Sequence, residues 1–306
     1  MSINWFPGHM HKAQKEIRQL VPEVDLVIEV LDARLPYSSQ NPLLQKLRGQ
    51  KPCIKLLNKS DLADPDLNQK WIEALQQDKT IKAYAVNTSD TGLVRQIPQW
   101  CLQWFPERET NKKPIQVMIM GVPNVGKSTL INIMADRTIA KTGNEAAVTK
   151  MQQRIKLPGN VILHDTPGVL WPRFDNQNSA FRLAVTGGIK DNIVAAEDKA
   201  FFLAEYVMHA YHKLIEQRYD IQQIPQDPYD LLVKIGQKRG ALKAGGRVDL
   251  TRISSLFINE FREGRVGRIT LETPEMMEQE LIDVDRKLAA KAAKKAARKE
   301  QHKGRQ

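Results

Sequence analysis

The stretch IQVMIMGVPNVGKST, residues 115–129, sets an apolar run directly before a Gly-x-x-x-x-Gly-Lys-Ser loop, and helical spacing follows it. A buried strand that feeds a helix through a glycine turn needs a parallel sheet around it, so this segment restricts the chain to an α/β architecture. Gly121 and Gly126 let the backbone turn until its N–H groups face phosphate oxygens. Lys127 is placed to reach the β- and γ-phosphates of a nucleotide and Ser128 to offer a hydroxyl to Mg²⁺. Pro123, Asn124, Val125 and Thr129 complete the cradle.

The apolar runs VDLVIEVLDAR (24–34), CIKLLNK (53–59), AYAVN (83–87) and VILHDTPG (161–168) read as further strands. Residues 64–78 and 91–105 carry helical spacing between them, with Trp100 and Trp104 on one apolar face. Strand–helix alternation of this kind predicts a mostly parallel sheet with helices on both faces. PERETNKKP (106–114) reads as a polar link between two halves of that region. Beyond about residue 175 the pattern turns helical, notably over 197–217, with a short strand candidate, GRITLE, over 267–272. We find no internal repeat. The expected partition is a nucleotide domain over 1–175, a smaller mainly helical domain over 176–280 and a tail over 281–306. NWFPGHM (4–10) reads as an aromatic anchor and a tight turn rather than as the start of a helix.

The chain has 306 residues, a formal charge of +11 and a pI near 9.5. Summed positive charge of this size favours a polyanionic partner, although a merely basic surface is the bland alternative. From Arg286 onward nine basic residues face one acid, Glu300, and Leu288 is the one large apolar residue. That composition predicts a solvated, transiently helical basic tail, with RNA as its partner. Lys234, Lys238, Arg239, Lys243 and Arg247 in KIGQKRGALKAGGRVD (234–249) are further candidates for neutralising backbone phosphates. Cys53 and Cys101 lack metal-ligand or disulfide spacing, which fits a reducing compartment. No secretory signal and no apolar run of the ~20 residues that span a membrane is apparent. A cytoplasmic monomer with no membrane or DNA partner is expected.

Two further motifs narrow the ligand. HDTPGV (164–169) ends a strand; Asp165 there suits the Mg²⁺ shell, and the Gly168 N–H is placed to sense a γ-phosphate. In isolation the same letters are a turn. LLNKSD (56–61) is an Asn-Lys-x-Asp motif. Asp61 can accept from guanine N1–H and its exocyclic amine, Asn58 suits the other edge of the base, and the Lys59 stem can cover the ring. Adenine lacks that donor pair, so the three motifs together indicate GTP. Their order is unusual: Asn-Lys-x-Asp precedes the phosphate loop instead of following it. Permutation preserves such a site, because all these loops lie at the carboxyl edge of one parallel sheet. It also leads the Asp-Thr-Pro-Gly segment straight into the second domain.

This layout resembles the circularly permuted GTPases that assemble the large ribosomal subunit. WFPGHM, DARLPYSSQNP (32–42), NKSD, the phosphate loop, DTPG and GRVGRITLETP (264–274) carry the resemblance over nearly the whole chain. It implies that Asn87 and Thr88 back the guanine and that Thr149 is the switch threonine meeting Mg²⁺ and γ-phosphate. Relatives usually carry Pro-Gly where this chain has Ala146-Ala147. Asn124 matches the asparagine of potassium-activated members, so K⁺ is an expected second cation. Val169 stands where many GTPases place a water-orienting glutamine. The resemblance offers His9 for that work, with Lys127 and Thr149 as the other catalytic candidates. The alternative is that the aromatic pair only pins the terminus. Large-subunit rRNA is the implied partner. GTP would favour binding of the immature subunit, and hydrolysis would release the factor late in assembly. A GTP-gated RNA scaffold with incidental hydrolysis is the rival. An RNA-modifying enzyme has little support, since no second catalytic cluster follows residue 175. Asp32 and Arg34 read as strand-end stabilisers, and His209 and His212 as helix-surface residues.

Overall fold

Every residue of β1 (Leu26–Asp32) is buried, as befits a strand with neighbours on both edges and helices on both faces. The computed structural model describes residues 3, 6–111, 113–139 and 153–303. β1 pairs in parallel with β2 (Cys53–Asn58) on one side and β4 (Ile115–Gly121) on the other. β3 (Ile81–Ala85) extends the sheet beyond β2, and β6 (Val161–Asp165) extends it beyond β4, both in parallel. β5 (Gln153–Leu157) closes the far edge antiparallel to β6, giving the order β3-β2-β1-β4-β6-β5. The five parallel strands match the apolar runs, with β3 starting two residues earlier than the run at 83. β5 escapes the sequence reading because only Ile155 and Leu157 of its five residues are buried.

Helices α1 (Gly8–Leu20), α2 (Pro42–Arg48), α3 (Pro65–Leu75), α4 (Thr91–Val94), α5 (Ile97–Leu102), α6 (Pro106–Asn111) and α7 (Lys127–Ala135) flank the sheet. α1 corrects the expectation of a turn. Pro7, at φ −68°, leads into it, and Met10, Ala13, Ile17 and Leu20 then bury one face at helical spacing. The helical span 91–105 divides into α4 and α5 because Pro98 has no N–H to give the Val94 carbonyl. α6 replaces the expected polar link.

Downstream lie α8 (Gln177–Thr186), α9 (Ala196–Ala210), α10 (His212–Tyr219), α11 (Pro228–Lys238), α12 (Leu250–Arg262) and α13 (Pro274–Lys303). The helical stretch over 197–217 forms two helices, α9 and α10, divided at Tyr211, whose backbone leaves the helical region at φ −134°. Its hydroxyl donates to Asp64 Oδ2 at 3.1 Å and accepts from Thr270 N at 3.2 Å. GRITLE is extended but is no strand. The Ile269 and Leu271 N–H groups donate to Leu62 O and Arg34 O, carbonyls of two separate loops, so no ladder forms.

A first core joins the sheet to α1, α5, α7 and α8. A second gathers Leu203, Val207, Leu232, Ile235, Phe257 and Phe261 of α9, α11 and α12. A third seats Met277 of α13 with Trp71 against the outer part of the sheet. No described helix is long and apolar enough to cross a membrane.

Candidate functional site

Because β1, β2, β3, β4 and β6 run parallel, their carboxyl ends share one edge, where open α/β sheets bind ligands. Asp32, Asn58, Gly121 and Asp165 end four of these strands. Residues 122–126 loop from Gly121 to the first turn of α7, which holds Lys127, Ser128 and Thr129. Gly121 must be glycine: a Cβ would lie 2.6 Å from Val30 O. Gly168 passes close beneath this loop, where a Cβ would sit 3.1 Å from Pro123 Cα. The Val169 N–H donates to Gly121 O at 3.2 Å, and the Val169 side chain is fully buried.

Lys127 is 6% exposed and forms an ion pair with Asp165. Burial pulls the ammonium below its ordinary range and pushes the carboxyl above its own, while the pairing opposes both shifts. Asp165 Oδ2 is buried with no hydrogen-bond partner. An orphaned carboxylate oxygen beside a buried lysine suits a divalent cation and phosphate oxygens, so these residues fit Mg²⁺ and a nucleoside triphosphate.

The Asn-Lys-x-Asp segment is tied to the same loop. Asn58 Nδ2 donates to Val125 O at 2.6 Å, and Lys59 Nζ donates to Asn124 O at 2.6 Å. Asp61 is exposed and its carboxylate has no partner among the described residues. The Val86 N–H donates to Leu57 O and Ser60 N to Val86 O, which brings Asn87 and Thr88 beside this segment. Asn87 Oδ1 accepts from Ser89 N at 2.8 Å. Asn124, at φ +62°, donates its side-chain amide to Gly187 O at 2.8 Å. Thr149 lies outside the described residues, as does the side chain of His9, whose backbone is in the first turn of α1.

One set of contacts was not legible as part of the site. Asp32 Oδ2 lies 3.2 Å from Lys59 Nζ and 2.7 Å from Arg34 Nη2, with Asp32 and Arg34 3% and 1% exposed. Burial disfavours the Asp32 carboxylate, but Arg34 and Lys59 outweigh it and hold the group well below the usual range. The expected strand-end role thus coexists with a direct contact to the Asn-Lys-x-Asp lysine. Two resemblance segments also meet: Glu272 of 264–274 accepts from Tyr37 N, and from Ser38 N at 2.9 Å and Ser38 Oγ at 2.5 Å.

Comparison with known proteins agrees with this geometry. Residues 116–234 match a family described as 50S ribosome-binding GTPase. Ribosome biogenesis GTPase A of Bacillus cereus is 39% identical over 293 residues, covering 94% of this chain and 99% of the relative. The protein of that name from Thermotoga maritima is 30% identical over 273 residues, covering 89% and 95%. Among solved structures, GDP-bound YlqF of T. maritima superposes with a TM-score of 0.61 at 26% identity, covering 85% of this chain and 99% of that one. The GNP-bound form gives 0.60 at 26%, covering 87% and 99%. With its phosphate-loop strand fourth in the chain and its Asn-Lys-x-Asp strand second, the chain belongs to the ribosome biogenesis GTPase A family of circularly permuted GTPases.

Proposed function

We propose that this GTPase works in the cytoplasm as a monomer in late assembly of the large ribosomal subunit. Its GTP state binds the immature subunit through rRNA, and hydrolysis releases it. The observation that carries the reading is the meeting of Lys127, Asp165, Asn58 and Lys59 at one sheet edge in a chain of charge +11. Lys127 and the loop from Pro123 to Ser128 hold the phosphates, and Asn58, Lys59, Asp61, Asn87 and Thr88 hold guanine. Ser128, Asp165 and Thr149 hold Mg²⁺, which when bound neutralises charge developing on the phosphoryl oxygens. Gly168 reports the γ-phosphate to α8, nine residues on. Asn124 is the candidate K⁺ ligand. The helical unit over 176–280, with its own buried core, and the basic tail over 281–306 carry the RNA contacts. The names of the curated relatives support the ribosomal partner.

Val169 is buried and apolar, so it cannot orient the attacking water. His9 takes that role, engaged when the subunit binds. The same buried valine is what favours the rival, a GTP-gated RNA scaffold with incidental hydrolysis. GTP turnover measured with and without purified large subunits, in K⁺ and in Na⁺, for wild type and His9→Ala, separates them. Subunit stimulation that is stronger in K⁺ and abolished in His9→Ala, with GTP binding retained, is the expected result. GTP-dependent subunit binding without a rise in turnover establishes the scaffold instead.

A further inference from the structure

We infer that Asp32 and Arg34 are positioning residues for nucleotide binding: Asp32 fixes the Lys59 ammonium, and Arg34 ties that hold to the carboxyl end of α12. The inference rests on the reading of Asn58–Asp61 as the guanine-binding segment.

Lys59 Nζ has two partners, Asn124 O in the phosphate loop at 2.6 Å and Asp32 Oδ2 at 3.2 Å. Together they fix where its stem lies beside the base pocket. A free lysine stem on a surface loop would lose much side-chain entropy on covering a ring, and an anchor at its tip removes most of that cost before nucleotide arrives. Asp32 is itself held rigid. Arg34 Nε reaches Oδ1 at 2.9 Å and Nη2 reaches Oδ2 at 2.7 Å, a two-pronged pair, and the Arg34 N–H adds a bond to Oδ1 at 3.1 Å. A buried arginine with a bidentate carboxylate is more than a strand end needs.

The far side of Arg34 belongs to the helical unit. Its guanidinium lies 5.3 Å from the Phe261 ring centroid, and Nη1 donates to Arg262 O at 3.4 Å. Arg262 in turn donates to Val185 O at 2.7 Å and Ala184 O at 2.9 Å, at the end of α8. Two residues on, Gly187 O accepts from Asn124. One helix end therefore touches the guanine side through Arg34–Asp32–Lys59 and the phosphate side through α8 and Asn124. A shift of α12 when the helical unit meets a partner would be felt at both ends of the nucleotide.

The test is a double-mutant cycle on GDP affinity, read with a fluorescent GDP on the full chain. Asp32→Asn should weaken binding about tenfold, the size of one close charge contact, and Arg34→Lys about threefold. In a Lys59→Met background both effects should disappear, because the group they position is gone. Weakening of equal size in both backgrounds would mean that the pair only stabilises the fold. Unchanged affinity with Lys59 present would mean that Lys59 is not positioned by the pair; either result overturns the inference. If Asp32→Asn does not fold, Arg34→Lys carries the cycle alone with the same criteria. Asp61→Asn, assayed for guanosine against xanthosine diphosphate, checks the underlying reading separately. Unchanged guanine preference there would overturn the site assignment itself, whatever the Asp32 cycle gives.

Discussion

Gly126 sits at φ +90° where the phosphate loop enters α7, and a Cβ there would press on the Asn58 amide. Two costs would coincide in Gly126→Ala. The left-handed backbone costs an alanine roughly 1–2 kcal/mol. Displacing Asn58 also breaks its bond to Val125 O, one of the ties between the Asn-Lys-x-Asp segment and the glycine loop. GDP affinity measured by fluorescence should fall by more than an order of magnitude, while the far-UV circular dichroism stays native. Gly92→Ala is the internal control. Gly92 lies in α4 with an ordinary 3.5 Å neighbour and no positive φ, so alanine there should be neutral or stabilise by about 0.5–1 kcal/mol in a denaturant melt. A Gly126→Ala protein that binds GDP normally would mean that the loop relaxes without moving Asn58. The cysteines take no part in such chemistry, since burial pushes both the Cys53 and Cys101 thiols up to about 12.

At the scale of elements, α13 is one helix with two characters. Met277 packs into the core beneath α3, whereas residues 291–295 are exposed and the sequence beyond them has no apolar face. Truncation after Ala290 removes seven basic residues and none of that packing. The melting temperature should hold within about a degree, since surface changes of this kind are worth under roughly 0.5 kcal/mol. Affinity for rRNA should fall, and the dependence of log K on log salt should flatten by roughly 0.7–0.9 for each phosphate that the tail no longer neutralises. An unchanged salt slope in filter binding would remove the tail from the interface. The elements that sequence made legible are those whose signal is local. β1, β2 and β4 are mostly apolar runs, broken only by Glu29, Lys55 and Gln116 before their last residues, and the glycine and Asn-Lys-x-Asp motifs have fixed spacing. β5 alternates over five residues with a polar outer face, and α1 hides behind Pro7-Gly8. Residues 267–272 look like a strand but find loop carbonyls in place of a ladder. The Arg34–Phe261 contact joins positions 227 apart, and no local pattern announces a pair of that kind.

Across the whole molecule, buried ion pairs fasten the helical elements to the sheet and to one another, and they make its stability depend on pH. Asp32 is held low by Arg34 and Lys59 against the cost of burial. For Glu260, burial again opposes ionisation, and Arg218, Tyr219 and Arg239 overcome it. A carboxyl whose folded pKa is depressed adds stability that is complete above its unfolded value. As pH falls, the unfolded chain takes up the proton first, and the contribution drains away down to the folded pKa. Unfolded carboxyls titrate near 3.8 for Asp and 4.5 for Glu, so loss should begin below about pH 5. Glu272 has the opposite sign: burial raises its pKa despite Arg182, so its contribution is full at low pH and declines as pH rises through the folded value. It therefore opposes the loss of stability on the acid limb. Glu260 is only 3% exposed and faces two arginines, which makes it the sharpest probe. Glu260→Gln leaves Arg218 and Arg239 without their counter-charge, at a cost of roughly 3 kcal/mol or about 6 °C in melting temperature at neutral pH. Melts from about pH 8 to about pH 3 should then show the variant and wild type converging, because acid removes from the wild type the same charge the substitution removed. Parallel curves across that range would mean that Glu260 does not titrate differently on unfolding, and that the acid sensitivity of the fold lies with Asp32 and the other depressed carboxyls, Asp191 among them.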